Sequence, residues 1–544
     1  MRKYFYVVAT VLIFLGLTGC GSKGKTETTT ASVMSQEDEN DIIETTTTAF
    51  YGYETDPEAE GSSSVIETTG EPVTELVTEP DTEPETTAYV SPYDVSAYDS
   101  NITPLADLST TTMPDCTRVL SQYSETSQPA IINNMPSINI VTEDGVSILS
   151  KETYVASVVN VFNCADEYAL TATAGVRVRG NASAEGDEKP YRIKFEKKQS
   201  MLGLHDGQAY KSWVLLRTYH SLIQDYMAFK LGTACFEGNY YSSDAILVDL
   251  YINGVYKGVY LLCEQNQVGK DRFAVNEPEA DETSVETGYL LEVNNYVTGD
   301  DHYNFTLSGN DRVVTDINGE SRTIYSHFLS IKSDINTEGQ YQFISNYMNG
   351  VFEILYQASQ NNAAYMFNER FELVSAEGIL TPQEAVEAVI DTESLAGMII
   401  HEELCHNYDV GAGSQYMAID FSQDSVYKKV TFCGPWDYSW AFMGATEGAY
   451  YACTFQELRS WGDNSNIWYI LAMRMDWFRD LLKQKWVRTY DSIVATNQAA
   501  ADYISGIKAD LAITGNSNKV EIGLHDVVGF VEGRIKWLDS QWRQ

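Results

Sequence analysis

Positive charge is in short supply in this chain. Its 36 Lys and Arg face 77 Asp and Glu, for a formal net charge of −41. So acidic a chain repels a phosphate backbone, which argues against nucleic acid as a partner. Cysteine is also sparse, with eight in 544 residues. Setting Cys20 aside leaves Cys116, Cys164, Cys235, Cys263, Cys405, Cys433 and Cys453, an odd and widely scattered set. That is no disulfide framework, and no two have zinc-finger spacing. Most read as small buried apolar residues. A GxGxxG phosphate loop is missing, and so is a zinc-protease HExxH. His401-Glu402-Glu403-Leu404-Cys405-His406 puts its histidines five apart, on different helix faces, so zinc is not expected there.

What is present begins with a secretion signal. Arg2 and Lys3 precede the apolar run Tyr6 to Leu17, which is too short to be a comfortable membrane span. The run closes at Leu17-Thr18-Gly19-Cys20, similar to a bacterial lipobox. This predicts cleavage before Cys20 and lipid attachment to it. The mature protein would then be anchored outside the cytoplasmic membrane, touching the bilayer through its lipid only. From Gly21 to Pro136, Thr, Glu, Ser and Pro dominate, as in Thr45-Thr46-Thr47-Thr48. Apolar residues there are too few to offset the entropy of ordering. Residues 21–136 are therefore expected to form an extended acidic tether, carrying roughly half of the net charge of −41. Residues 137–544 remain for the folded domain. The chain's 36 Tyr and 9 Trp, most of them in this part, suffice for a substantial core.

Within that domain, residues 137–300 read mainly as strands. Ser137 to Val141, Gly175 to Gly180 and Pro190 to Phe195 alternate apolar with polar residues. Ala245 to Cys263 reads as a hairpin turning at Asn253-Gly254. Leu222 to Leu231 reads as a helix between strands, and Tyr341 to Gln357 as another. From Leu380 the pattern turns helical. Thr381-Pro382-Gln383-Glu384 is a capping box with Pro at the first helical position. A second helix starts at Asp391 or Thr392, with Leu395, Met398, Ile399 and Glu402 on one face. Strands are expected at Gln415 to Phe421 and Val426 to Cys433, then helices to the end. A strand-rich half followed by a helix-rich half predicts a two-lobed α+β domain.

The candidate chemistry lies on two aspartates. Asp409 follows the second helix in His406-Asn407-Tyr408-Asp409. Asp437 follows the strand pair in Pro435-Trp436-Asp437-Tyr438-Ser439. A carboxylate after a helix, a hairpin, then a second carboxylate is the layout of a protein-kinase site. There, one Asp handles the acceptor hydroxyl and the other holds Mg²⁺. In protein kinases an Asn five residues after the first Asp also holds metal; here that position is Ser414. Any phosphate-contacting cation must come from the strand-rich half. Lys194 is the best placed by pattern, with Lys189 and Arg179 as others. Glu264, at the end of the hairpin, is positioned to pair with such a cation. Each of these charges, taken alone, also reads as a solvated strand-edge residue.

Seven blocks in order resemble the CotH kinase family, named for the spore-coat protein H. Arg179-Gly180-Asn181-Ala182-Ser183 is similar to that family's RGNSS, and Lys189-Pro190-Tyr191-Arg192-Ile193-Lys194-Phe195 to its KPYRIKL. Trp213 to Leu216 opens its next block. Val248 to Glu264 is similar to VELYLNGEYQGLYLLTEQ, and Val268 to Arg272 continues the match. Gly288-Tyr289-Leu290-Leu291-Glu292 is similar to GGYLLE. Asn407-Tyr408-Asp409 and Pro435-Trp436-Asp437 match NxD and PWDLD. The similarity spans roughly residues 137–490.

The resemblance implies a divergent protein-kinase-like fold and transfer of the ATP γ-phosphoryl group to protein Ser or Thr hydroxyls with Mg²⁺ or Mn²⁺. It implies Asp409 as the catalytic acid–base residue and Asp437 as the metal holder, with Ser414 and Ser439 beside it. Lys194 or Lys189 would contact phosphate; Arg179, Glu264 and Trp436 complete the nucleotide side. A protein substrate or surface protein is the implied partner. The departures are Ser414 for Asn, Ser439 for the second Asp of PWDLD, and Gln224-Asp225 for an Arg-Asn pair. They support an alternative, a pseudokinase serving as a cell-surface binding or assembly module.

Overall fold

Asn253 and Gly254 both take positive φ, 51° and 76°, as the two-residue turn requires. The turn joins β6 (Ala245–Ile252) to β7 (Val255–Glu264). Five strands precede them: β1 (Ser137–Thr142), β2 (Val155–Phe162), β3 (Leu170–Val178), β4 (Tyr191–Gln199) and β5 (Tyr210–Leu216). In this computed structural model, the residues described are 91–543, apart from 109–110, 125–126, 218–221, 295–301, 308–311, 325–326 and 459–461. The secretion signal, Cys20 and the tether as far as residue 90 lie outside them.

The seven strands close into a barrel in the order β1-β2-β3-β4-β5-β7-β6. A parallel pairing of β1 with β6, Ser137 opposite Asp249, completes the closure. Alternation along the strands sorts two cores. Trp213 and Leu215 of β5, Ile193 of β4 and Leu262 of β7 fill the barrel interior. Val214, Leu216, Leu261 and Cys263 face outward into the larger core shared with the helices. The mixed α+β class holds, with strands first and helices later. Alternating strands alone did not announce that they close into a barrel.

After three short helices of four to six residues, the first long helix is Leu222–Cys235, which runs four residues past its expected end and is buried almost throughout. The stretch 300–375, hard to place by pattern, supplies the short strands Asn304–Thr306 and Phe328–Ile331 and the long helix Glu338–Asn361. Those strands join Gly288–Asn294, Gly413–Asp420 and Thr431–Phe432 in a five-stranded sheet. Thr431–Phe432 is shorter than the expected 426–433, since Val426 stays 72% exposed and has no core to bury against. The capping box forms as read: Thr381 Oγ1 accepts from Glu384 N at 3.2 Å, and Glu384 accepts from Thr381 N at 2.8 Å. Asp391 caps the helix Thr392–Cys405, accepting from Ser394 N at 3.0 Å. That helix is not one-sided as its stripe suggested. Every residue from Ser394 to Cys405 is buried, because helices Leu222–Cys235, Asp476–Gly506 and Ser517–Trp542 surround it.

The folded unit starts earlier than the composition implied. Residues 91–136 were read as tether, but much of their described part packs on the domain. Cys116 and Val119 are buried with Ala156 and Val158. Tyr93 stacks against Phe371 at 4.3 Å, and Asn134 N donates to Asp510 at 2.9 Å. A few anchoring side chains among many polar residues were enough, and a composition average hides them.

Candidate functional site

The helix Thr392–Cys405 ends with His406 in the left-handed region at φ 48°. This turns the chain into the loop that carries Asp409. Asn407 ties that loop to the second aspartate. Its Oδ1 accepts from Asp409 N at 3.1 Å, and its Nδ2 donates to the Asp437 carbonyl at 3.4 Å. Trp440 O accepts from Tyr408 N at 3.1 Å. Asn464 and Asn466 donate to the carbonyls of Tyr408 and Val410 and pin the loop from below. Gly411 is required here, because a Cβ would run into the backbone of Asn464 and Ser465.

Asp437 itself sits at φ 62°, and Ser414 and Phe442 nearby in sequence to the two loops sit at 61° and 59°. Non-glycine residues hold such angles only when their surroundings over-determine them. For Asp437 those surroundings are specific. Asp225 Oδ1 accepts from Tyr438 N at 2.8 Å, and Gln224 Nε2 donates to Ala441 O at 2.7 Å. Ser439 Oγ donates to Asp437 Oδ1 at 3.2 Å. The Asp437 side chain is crowded by protein yet open to solvent, as on the floor of a cleft.

Four carboxylates lie in this region with two cations, Arg179 and the Lys332 that pairs with Glu292 at 3.1 Å. Crowding raises the Asp437 carboxyl, and Glu292 adds to the effect; Arg179 and the Ser439 hydroxyl oppose it. Asp409 is pushed up to about 6, first by burial and then by the charge of Asp437. Asp225 is pushed up to about 7 by burial and by Asp437, against the Tyr438 N–H and Arg179. Burial, with Glu292 next, holds the Tyr416 phenol well above its usual range. With Glu292 paired to Lys332, Asp409, Asp437 and Asp225 still outnumber Arg179, so the cleft favours a bound cation.

The expected residues divide accordingly. Asp409, Asp437 and Ser439 come together, and Arg179 joins them as the cation acting on Asp437. Trp436 is buried. Phe229 stacks on its ring at 5.6 Å and Arg179 lies over it at 5.4 Å, so it supports Arg179 instead of opening to a ligand. Lys189 is spent locally, donating to the carbonyls of Ala184 and Gly186 at 2.8 and 3.3 Å. Lys194 lies mid-strand in β4 opposite Gly175 and Ser212, with no contact to either aspartate among the described residues. Glu264 pairs with Arg272 at 3.0 Å and with His205 at 2.7 Å, not with a phosphate-side lysine. Ser414 occupies a bulge in Gly413–Asp420 and makes no described hydrogen bond to Asp437. Of these five, Lys189, Lys194, Glu264 and Ser414 are corrections, since none of them is brought to the two aspartates among the described residues; for Lys194 and Glu264, alternation gave the strand but not the partner.

Asp225 and Glu292 are named in the sequence analysis without a role in the site. Asp225 had a signal, an acid set inside the apolar run Leu222-Ile223-Gln224-Asp225-Tyr226-Met227. Glu292 closes the block Gly288-Tyr289-Leu290-Leu291-Glu292, similar to GGYLLE, but no site role is read from it. The His401 to His406 segment, by contrast, is structural. Among the described residues, no three His, Cys, Asp or Glu side chains are grouped to hold a metal. A hollow of about 400 Å³, lined in part by Asp391, Lys428 and Lys429, lies at the other end of Thr392–Cys405 and includes none of the site residues.

A family model described as CotH kinase protein matches residues 176–518. The chain belongs to the CotH kinase protein family. No curated protein matches it. The CotH match takes in Arg179, Asp225, Glu292, Lys332, Asp409 and Asp437, the charged residues brought together here. No helix among the described residues is long and apolar enough to cross a membrane.

Proposed function

We propose that this CotH-family chain is a lipid-anchored, extracytoplasmic protein kinase with a divergent two-lobed kinase-like arrangement. The barrel and the helix Leu222–Cys235 would form the nucleotide side, and the later helices the acceptor side. The observation that carries the reading is the joining of Asp409 and Asp437 through Asn407, beside Arg179, in an open cleft.

ATP would supply the γ-phosphoryl group, and Mg²⁺ or Mn²⁺ the neutralisation of phosphate charge. The residues present fit that role, since Asp437 is an accessible carboxylate with a hydroxyl beside it and excess negative charge around it. Arg179 would hold phosphate oxygens. Its guanidinium is oriented by the Trp436 face, with no ion pair among the described residues. Asp409 would accept the proton of a Ser or Thr hydroxyl. With its carboxyl near 6, it is ionised at neutral pH and still basic enough to take that proton. Positioning and electrostatics supply the rate in such a site, with little covalent work for the protein.

The pseudokinase reading draws on one feature, the neutral Ser439 and Ser414 where a carboxylate and an amide stand in the family pattern. Transfer of labelled phosphate from ATP to the chain itself or to a generic acceptor separates the two. Wild-type signal lost in Asp409→Asn and Asp437→Asn supports the kinase. Equal signal in all three rejects it. Metal-dependent ATP binding without transfer would favour the pseudokinase.

A further inference from the structure

Among the acids of the cleft, Asp225 stands apart. It is 1% exposed, and its Oδ1 is engaged by Tyr438 N at 2.8 Å. Its Oδ2 is buried with no hydrogen-bond partner. A carboxylate oxygen buried without a donor is destabilising, by about 1–3 kcal/mol for an ordinary polar group and more for a charged one. Arg179 does not satisfy it, because that guanidinium makes no described hydrogen bond to either Asp225 or Asp437. Because Asp225 grips the residue that follows Asp437, it lies directly behind the cleft floor, and each acid feels the other's charge.

We infer that Asp225 is a second carboxylate for the divalent ion held at Asp437, taking over from Ser439 and Ser414. The inference rests on the kinase-type nucleotide reading above. Mg²⁺ is usually held by one or two carboxylates, with phosphate oxygens and waters completing an octahedron. Two acids therefore suffice, and a three-sided protein cage is not needed. The family pattern places Asn at position 225 and a carboxylate at 439; this chain has Asp225 and Ser439. The negative charge has moved from one side of Asp437 to the other, and the orphaned oxygen is where it would be used.

The test is Mn²⁺ binding to the full chain, followed by electron paramagnetic resonance, with and without a non-hydrolysable ATP analogue. Asp225→Asn keeps an acceptor for Tyr438 N and removes the charge. It should weaken Mn²⁺ binding at least tenfold while the metal-free melting temperature stays level or rises. The double variant Asp225→Asn/Ser439→Asp should regain most of the lost affinity, which a purely structural role for Asp225 would not produce. Asp225→Ser provides a second neutral variant should Asn disturb folding. Wild-type affinity in Asp225→Asn and Asp225→Ser, with binding lost in Asp437→Asn, overturns the inference and leaves the kinase reading intact. A double variant as weak as Asp225→Asn also overturns it. Wild type that binds neither Mn²⁺ nor the analogue removes both.

Discussion

The end of one helix and the loop that follows it carry acids with opposite fates in this chain. His401 to His406 closes the helix Thr392–Cys405, and Asp409 begins the loop beyond. In the first segment most polar groups are satisfied. Glu403 accepts from Tyr451 N at 2.9 Å and Cys453 N at 3.1 Å and pairs with Arg534, both side chains fully buried. His401 Nε2 donates to Ala228 O at 2.8 Å, and burial pushes that ring down to about 4. His406 stacks on Tyr451 at 4.3 Å and is pushed down to about 3, first by burial and then by Arg534. In the second, the loop's Asp409 and the Asp437 tied to it through Asn407 remain reachable by solvent, and Asp225 behind them keeps an oxygen unpaired. Acids sealed inside with partners hold a fold together. Acids left short of partners at an opening are available for a ligand.

Replacing Arg534 with Ala should break the sealed side most severely. It strands Glu403 as a buried charge, at a loss of about 3–5 kcal/mol. Denaturant unfolding would register this; a loss below about 1 kcal/mol would mean that Glu403 is easily neutralised or hydrated. On the open side the pattern should invert. Asp437→Asn is expected to lower phosphoryl transfer at least about 100-fold, close to 3 kcal/mol in barrier, with unfolding stability level or raised. A large loss of stability in that variant would erase the distinction between the segments.

Glu402 belongs to both sides, since Tyr438 OH donates to its Oε1 while its Oε2 has no partner. Burial, assisted by Glu403, pushes it up to about 8. A folded-state value above the unfolded one favours the protonated form in the fold. The stabilisation is complete below the carboxyl's ordinary value of 4.5 and is lost as pH rises through about 8. Glu402→Gln should therefore be more stable than wild type at pH 9, by on the order of 2 kcal/mol, and near parity at pH 5. Parallel melting curves across that range would place Glu402 outside this account. The smallest effect concerns Arg179. Arg179→Gln should weaken metal–ATP binding about tenfold, roughly 1.4 kcal/mol, while Lys194→Gln changes it little. The reverse order, read by calorimetry, would return the phosphate role to Lys194.

Much of the scaffold was legible because its causes are local. Asn253-Gly254 turns the hairpin through its own backbone preferences, and Thr381 with Glu384 caps a helix within four residues. The two aspartates were legible through their order and spacing around a hairpin. Lys194 misled because alternation shows which face of a strand a side chain occupies and is silent about what lies across from it. Trp436 misled for a similar reason: nothing in Pro435-Trp436-Asp437 tells that Phe229 and Arg179 cover the ring.

By itself, then, the amino-acid sequence determined the family blocks, the strand-then-helix order and the position of the acid pair. These follow from backbone preferences and apolar spacing over a few residues. Only the tertiary structure decided that β1 closes on β6, that Arg179 is the cation of the cleft, and that Asp225 stands behind Asp437. Asp225 and Tyr438 are 213 positions apart in the chain and 2.8 Å apart in space. Electrostatic interactions decay with distance through space and take no account of separation along the chain, so only packing could bring those charges into one site.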